Sequence, residues 1–259
     1  QIGNEEVTNG DFSQIGSELI TGTNSDMSGA NSWVAAIGSL DFNINTTVSD
    51  RMWCNFTTGN QQVKLANKLT VGKNYLISLS ARLNSGTATT VQIGGFTSNE
   101  TSPSIINIIP TSTTTTYTGY ITCDNVDLSI GIIAANNNGS DYEFDNVSVK
   151  EVGQDWVFGT GWSMGDNKAT FTAGGAQYSQ LEQNKSLGNS KNFNVSFDLV
   201  DPDNLGVYVR LCSGSWSSLI SGTGTKNLTS SSSTGSQIEF EIGPGLSLIH
   251  ISEPTRLSW

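Results

Sequence analysis

Two stretches of this chain, 118 residues apart, are written on one pattern. Lys73-Asn74-Tyr75-Leu76-Ile77-Ser78-Leu79 aligns with Lys191-Asn192-Phe193-Asn194-Val195-Ser196-Phe197, and both read Lys-Asn-aromatic-x-aliphatic-Ser-apolar. Two further matches follow at similar offsets: Val91-Gln92-Ile93 with Val207-Tyr208-Val209, and Leu128–Ile132 with Ile238–Ile242. Solenoid units repeat every 20 to roughly 50 residues, so a repeat this long means tandem domains. Inside each copy the hydrophobic period is two. Tyr75, Ile77, Leu79 and Ala81 point one way and Ser78, Ser80 and Arg82 the other; Phe193, Val195, Phe197 and Leu199 alternate with Asn194, Ser196 and Asp198. A strand with one apolar face needs a second sheet to cover it. The predicted fold is therefore all-β, with one two-sheet antiparallel β-sandwich per module.

The first module is predicted over residues 1–152 and ends on the strand-like run Tyr142–Lys150. The second is predicted over 153–245 and has no counterpart of that run, so it reads as truncated by one strand. Ser-rich 230–233 is a turn inside it.

Net charge narrows the partners. At −11 over 259 residues, the surface repels phosphate backbones and anionic lipid, which excludes nucleic acid as a partner. It is compatible with cations or neutral sugars. No apolar run reaches the length that membrane insertion by a helix requires. Three cysteines, Cys54, Cys123 and Cys212, make no even disulfide framework and are expected as buried free thiols.

Residues Leu246–Arg256, LSLIHISEPTR, resemble the forward translation of a transposase adapter used in sequencing libraries. On that resemblance 246–259 is a non-native tail to be set apart from fold reasoning. The tail is β-prone and is expected to be drawn into the place of the missing closing strand, as a substitute for a native contact. It also holds the chain's one histidine, His250. Without it, Ser-His-Asp, Cys-His and His-metal chemistry are unavailable. Carboxylates such as Glu143, Asp145, Asp198 and Asp201 occur, but no local motif singles out a glycosidase pair. P-loop, GxSxG, HExxH and CxxC motifs are lacking, and no catalytic residue is predicted.

A family resemblance rests on three runs: Val7-Thr8-Asn9-Gly10-Asp11-Phe12-Ser13, Gly159-Thr160-Gly161-Trp162-Ser163 with Asn167-Lys168-Ala169, and Asp145-Asn146-Val147-Ser148-Val149-Lys150-Glu151. Together they resemble jelly-roll carbohydrate-binding modules of the family 4/9 type, in particular tandem copies in bacteriophage tail and appendage proteins. The resemblance implies a jelly roll and often a structural calcium ion. Here the calcium ligands would be Asp145, Asp11 and backbone near Gly10. Ser13 stands where the family often has an acidic residue, so one ligand is missing.

Sugar rings present apolar CH faces to aromatic side chains while polar groups bond the hydroxyls. The candidate platforms are Trp33, Trp53, Tyr117 and Tyr120 in the first module and Tyr208 and Trp216 in the second, with Asn55, Gln61, Gln62, Arg82 and Arg210 as polar neighbours. Trp216 lies in the polar run Ser213–Ser218 and is expected to be the most exposed; Trp156 and Trp162 are expected to be framework. The expected role is non-catalytic attachment to a polysaccharide, on a host-cell surface or free, by a virion appendage among other virion subunits. The alternatives are modules acting as structural spacers, and accessory modules of a secreted polysaccharide hydrolase.

Overall fold

A computed structural model describes residues 4–29, 31–37, 40–44, 50–57, 60–96, 104–132, 139–172, 178–244 and 249–258. The chain divides into two compact units, Gly16–Glu151 (the leading unit) and Val152–Trp259 together with Gln1–Ile15 (the trailing unit).

The leading unit runs β1 (Ile15–Glu18), a single helical turn α1 (Thr23–Asp26), β2 (Val34–Ile37), β3 (Asp41–Ile44), β4 (Met52–Phe56), β5 (Gln62–Leu65), β6 (Asn74–Ser85), β7 (Val91–Gly94), β8 (Ile105–Ile108), β9 (Thr115–Thr122), β10 (Leu128–Ile132) and β11 (Ser140–Val152). One sheet has the order β3-β4-β11-β6-β9, with β1 also on β11; the other is β2-β5-β10-β7-β8. Alternation decides which side chains meet. Tyr75, Ile77, Leu79 and Ala81 of β6 and Tyr142, Phe144, Val147 and Val149 of β11 join Val63, Leu65, Ile93 and Ile130 from the opposite sheet in one buried cluster. The Val, Leu, Ile and Phe side chains among them each contribute about 1.5–3 kcal/mol by leaving water.

Two tyrosines reach out of this core to hold loops. The Thr89 N–H donates to the Tyr142 hydroxyl at 2.9 Å, and the Thr70 N–H to the Tyr75 hydroxyl at 2.9 Å. All three cysteines are free and buried. Burial pushes the Cys54 thiol far up and the Cys123 thiol to about 11, so both are neutral at pH 7 and poor nucleophiles.

The trailing unit runs β12 (Trp156–Phe158), β13 (Trp162–Gly165), β14 (Lys168–Phe171), β15 (Ser179–Asn184), β16 (Asn192–Val200), β17 (Tyr208–Leu211), β18 (Gly224–Ser231), β19 (Gln237–Ile242) and β20 (Ile249–Ser258). Its sheets, β13-β14-β20-β16-β18 and β12-β15-β19-β17, follow the strand orders of the leading unit, except that no described strand takes the places of β1 and β8. Phe197 of β16 and Phe240 of β19 meet edge-on across the sandwich at 5.1 Å. Trp156 and Trp162 are buried, as framework residues would be. β20, from the segment with the adapter resemblance, lies between β14 and β16 as β11 lies between β4 and β6.

The opening segment, read from sequence as the start of the first module, makes its described contacts in the trailing unit. Phe12 is fully buried with its ring 5.3 Å from that of Trp156. The Trp156 Nε1–H donates to the Asn9 carbonyl at 3.0 Å. The Gln183 amide closes a two-way clamp on Thr8, accepting from its N–H (2.9 Å) and donating to its carbonyl (2.6 Å). Sequence alternation could not show this, because the partner of an isolated aromatic is set by the tertiary fold.

Tyr142→Phe keeps the ring and strands the buried Thr89 N–H. The expected cost is about 1–3 kcal/mol for the leading unit, read as a lower urea midpoint with an unchanged slope.

Candidate functional site

The outward face of the β12-β15-β19-β17 sheet concentrates polar and aromatic groups. In register, Tyr208 and Arg210 on β17 stand opposite Glu241 and Glu239 on β19, which stand opposite Gln180 and Glu182 on β15. Val209, Leu211, Ile238, Phe240, Ile242 and Leu181 turn inward between them and are fully buried or nearly so. The core thus fixes every outward position by pleat alone.

Arg210 is the centre of this face. Its Nε and Nη2 donate to the two carboxylate oxygens of Glu239 at 2.7 and 2.5 Å. Glu239 is 2% exposed, and a carboxylate so buried needs such a fork to offset its lost hydration. Donating to the Glu239 carboxylate raises the Arg210 pKa above its ordinary value. Gln180 Nε2 donates to Glu241 at 2.8 Å and Gln237 Nε2 to Glu182 at 2.7 Å. Burial, and then the charge of Glu239, push the Glu182 carboxyl up.

Trp216 is brought over the face by a loop that folds back along β17. Cys212 and Ser213 adopt left-handed φ of 45° and 58°, and the Gly214 N–H closes the turn on the Leu211 carbonyl at 2.8 Å. A Cβ on Gly214 would run into the Ser231 carbonyl, which is why glycine stands there. The Ser217 N–H then donates to the Val209 carbonyl (2.9 Å), while the Val209 N–H donates to the Ser217 hydroxyl (3.0 Å). Ile220 and Val207 exchange N–H···O bonds in an isolated antiparallel bridge. Thus anchored, the indole lies with the Arg210 guanidinium carbon 4.2 Å from its ring centroid. Such a cation–π contact contributes about 0.5–2 kcal/mol.

The indole walls two shallow clefts. One, of about 220 Å³, is lined by Tyr178, Tyr208, Trp216, Ser217 and Glu241. The other, of about 240 Å³, is lined by Ser215, Trp216, Ser217, Thr229, Ser230 and Ser231. Tyr178 is 62% exposed, so its ring is open to solvent at the cleft. The clefts combine apolar ring faces with hydroxyl and carboxylate acceptors.

Tyr208, Arg210 and Trp216, singled out from sequence, therefore come together. Tyr178, Gln180, Glu239 and Glu241 join them and were not singled out. The signal for the glutamates was present in Gln237-Ile238-Glu239-Phe240-Glu241-Ile242, whose alternation sends both outward.

The leading-unit candidates scatter. Trp33 is 4% exposed in the core, its Nε1–H donating to the Asn24 carbonyl at 3.0 Å. Tyr117 pairs with Leu79 and packs on the core, its hydroxyl donating to the Ile109 carbonyl at 3.3 Å. Tyr120 pairs with Leu76 and faces the other way, so the two tyrosines cannot share a platform. Trp53 faces outward, half-buried, opposite Glu143. Glu143 is fully buried and held by Arg82 Nε and Nη2 at 2.7 and 2.8 Å.

Asp11 accepts from the Ser13 N–H and hydroxyl at 3.2 and 2.8 Å, and Asp145 from the Asn146 N–H and amide at 2.7 and 3.0 Å. Among the described residues no group of three or more His, Cys, Asp or Glu could hold a metal ion.

No protein-family model matches the chain, and no curated protein does. Among solved structures it is similar to the N-terminal CBM22-1–CBM22-2 tandem domain of Xyn10C from Paenibacillus barcinonensis, with a TM-score of 0.44 and 9% identity over 95% of this chain and 98% of that one. It is also similar to a structure described as "CBM4 structure and function" (TM-score 0.34, 15% identity, 46% of this chain and 94% of that one). A third likeness is to the Endo-D glycoside hydrolase domain of Streptococcus pneumoniae R6 (TM-score 0.27, 12% identity, 83% and 37%). At these scores the likenesses carry no argument, and what the face can bind rests on its own residues.

The raised Glu182 pKa carries a pH signature. Its folded-state pKa lies above its unfolded one, so the folded unit holds the proton more tightly and loses stability as pH rises through that range. Glu182→Gln removes the penalty and can still accept the bond from Gln237. The trailing-unit melting temperature is expected to rise at pH 7 and to stay unchanged near pH 3, which thermal melts at the two pH values would read.

Proposed function

We propose that the trailing unit is a non-catalytic binding module for a neutral polysaccharide, seated against Trp216, Tyr208 and Tyr178. The observation that carries this reading is the single cleft in which these three rings stand beside Glu241 and Ser217. Aromatic faces receive the CH side of a pyranose, and the carboxylate and hydroxyl accept from its hydroxyl groups. Charge favours neutral sugar: the face carries Glu182, Glu239 and Glu241 against one arginine that is already engaged. A uronic-acid chain meets repulsion there.

Attachment of an extracellular virion to a host-surface glycan is the finer form of this proposal, and it is supported by the sequence resemblance. A structural calcium ion at Asp145 or Asp11 belongs to the same resemblance.

A glycan array and affinity electrophoresis with the whole chain test the proposal. Binding to a neutral polysaccharide is expected, and Trp216→Ala should weaken it by about 10- to 100-fold, the effect of losing one stacked aromatic of roughly 1–3 kcal/mol, while the unit stays folded with its melt lowered only by the few degrees that the lost contact with Arg210 implies. Retained affinity in Trp216→Ala, or a blank array from folded protein, would overturn it. Binding and melting temperature are both expected to be unchanged by a calcium chelator; a chelator-induced drop in melting temperature would instead restore the metal site.

A further inference from the structure

The charge that turns a uronic acid away from the Trp216 face does more than tolerate neutral ligands. Glu182, Glu239 and Glu241 all act on the Arg210 guanidinium, and Arg210 spends its charge on Glu239. The result is a negative surface, on a chain of net charge −11, that draws cations.

The groups at the aromatic cleft narrow the kind of cation. Tyr178, Tyr208 and Trp216 line it together with Glu241 and Ser217, around about 220 Å³. Tyr208 and Glu241 are cross-strand partners, so pairing alone puts ring and carboxylate side by side. Gln180 Nε2 engages one oxygen of Glu241 and holds the carboxylate on the face. The Ser217 hydroxyl donates to the Ser218 carbonyl and accepts from the Val209 N–H, which leaves it one lone pair. A primary ammonium brings three protons that each need an acceptor, and it is strongly hydrated. A quaternary ammonium brings none. Its charge is carried on methyl groups that rest on ring faces, and it needs only those faces and a nearby anion.

We propose that this cleft is also an aromatic cage for a choline-type quaternary ammonium alcohol. The trimethylammonium group sits among Tyr178, Tyr208 and Trp216 with its charge towards Glu241, and the alcohol donates to Ser217. This ligand and a pyranose use the same rings, so each excludes the other. Zwitterions are disfavoured, because the carboxylate of a betaine or the phosphate of a phosphocholine headgroup meets the same glutamates.

Calorimetric titration of the whole chain with choline chloride at fixed ionic strength tests this. One saturable site is expected, with a dissociation constant on the order of 1 mM. Dimethylbutanol, the isostere with carbon in place of the nitrogen, is expected to bind at least about tenfold more weakly, as is glycine betaine. Equal binding of the neutral isostere overturns the proposal, because the cleft then reads shape and not charge. Tyr178→Ala and Glu241→Gln, each checked by a melt, should weaken choline by about three- to tenfold. Choline affinity unchanged in both places the cation elsewhere and overturns the proposal. Choline is also expected to displace a neutral polysaccharide that the glycan array identifies. Polysaccharide binding without choline binding overturns the cage and leaves the sugar site standing. Choline binding with a blank array supports the cage and removes the sugar reading, so the two fail separately.

Discussion

A pleated strand can give only every second side chain to the core. That constraint allows one framework to appear twice in this chain with different surfaces. In the leading unit Gly131 pairs with Gln92 and Ser129 with Gly94; in the trailing unit Glu241 pairs with Tyr208 and Glu239 with Arg210. The inward partners are aliphatic or aromatic in both, Ile93 and Ile130 in one, Val209 and Phe240 in the other. The outward partners share nothing. Buried Gln92, Gly94, Ser129 and Gly131 hold these positions in the leading unit, and Tyr208, Arg210, Glu239 and Glu241 in the trailing unit, with no demand on the apolar layer behind them.

Placing carboxylates outward and yet burying them is expensive, because an ion removed from water loses several kcal/mol of hydration. Both units meet this cost with an arginine fork, Arg82 on Glu143 and Arg210 on Glu239. The forks contribute little net stability by this accounting, but they fix geometry. The guanidinium of Arg210 cannot rotate without losing two charged bonds, so the indole resting on it is held in one orientation. Preorganisation of this kind lowers the ordering cost of a ligand that stacks on the ring. In the leading unit the same device stands beside Trp53, but on the other sheet.

What the sequence disclosed follows the same division. Alternation in Lys73–Leu79 and Lys191–Phe197 was enough to name the sandwich, its duplication and which residues of β6 and β16 face inward. Tyr208, Arg210 and Trp216 were legible as candidates because each sits in a polar or alternating context. Trp33 and Tyr117 were not distinguishable from them, since an aromatic beside polar residues reads the same whether its ring turns to the core or to solvent. The destination of Phe12 was illegible for a related reason: its burial depends on Trp156, which is remote in sequence. Tyr178 and the Gly214 turn depend on the path of neighbouring loops, which no periodicity records.

The two closing strands show how far a local rule reaches. Both pass an irregular point at a similar depth in the sheet. In β11 a single residue absorbs it: Asn146 adopts φ of 52°, a left-handed conformation that asparagine tolerates better than most, and Phe144 and Val147 both remain inward. In β20 the same need is spread over Glu253–Thr255 around a proline, and the Asp198 carboxylate across the sheet is left with an unmet oxygen. The neighbours β14 and β16 keep their alternation in either case. It is therefore the flanking strands that define the place, and the strand within it is selected by how few backbone and polar groups it leaves unsatisfied.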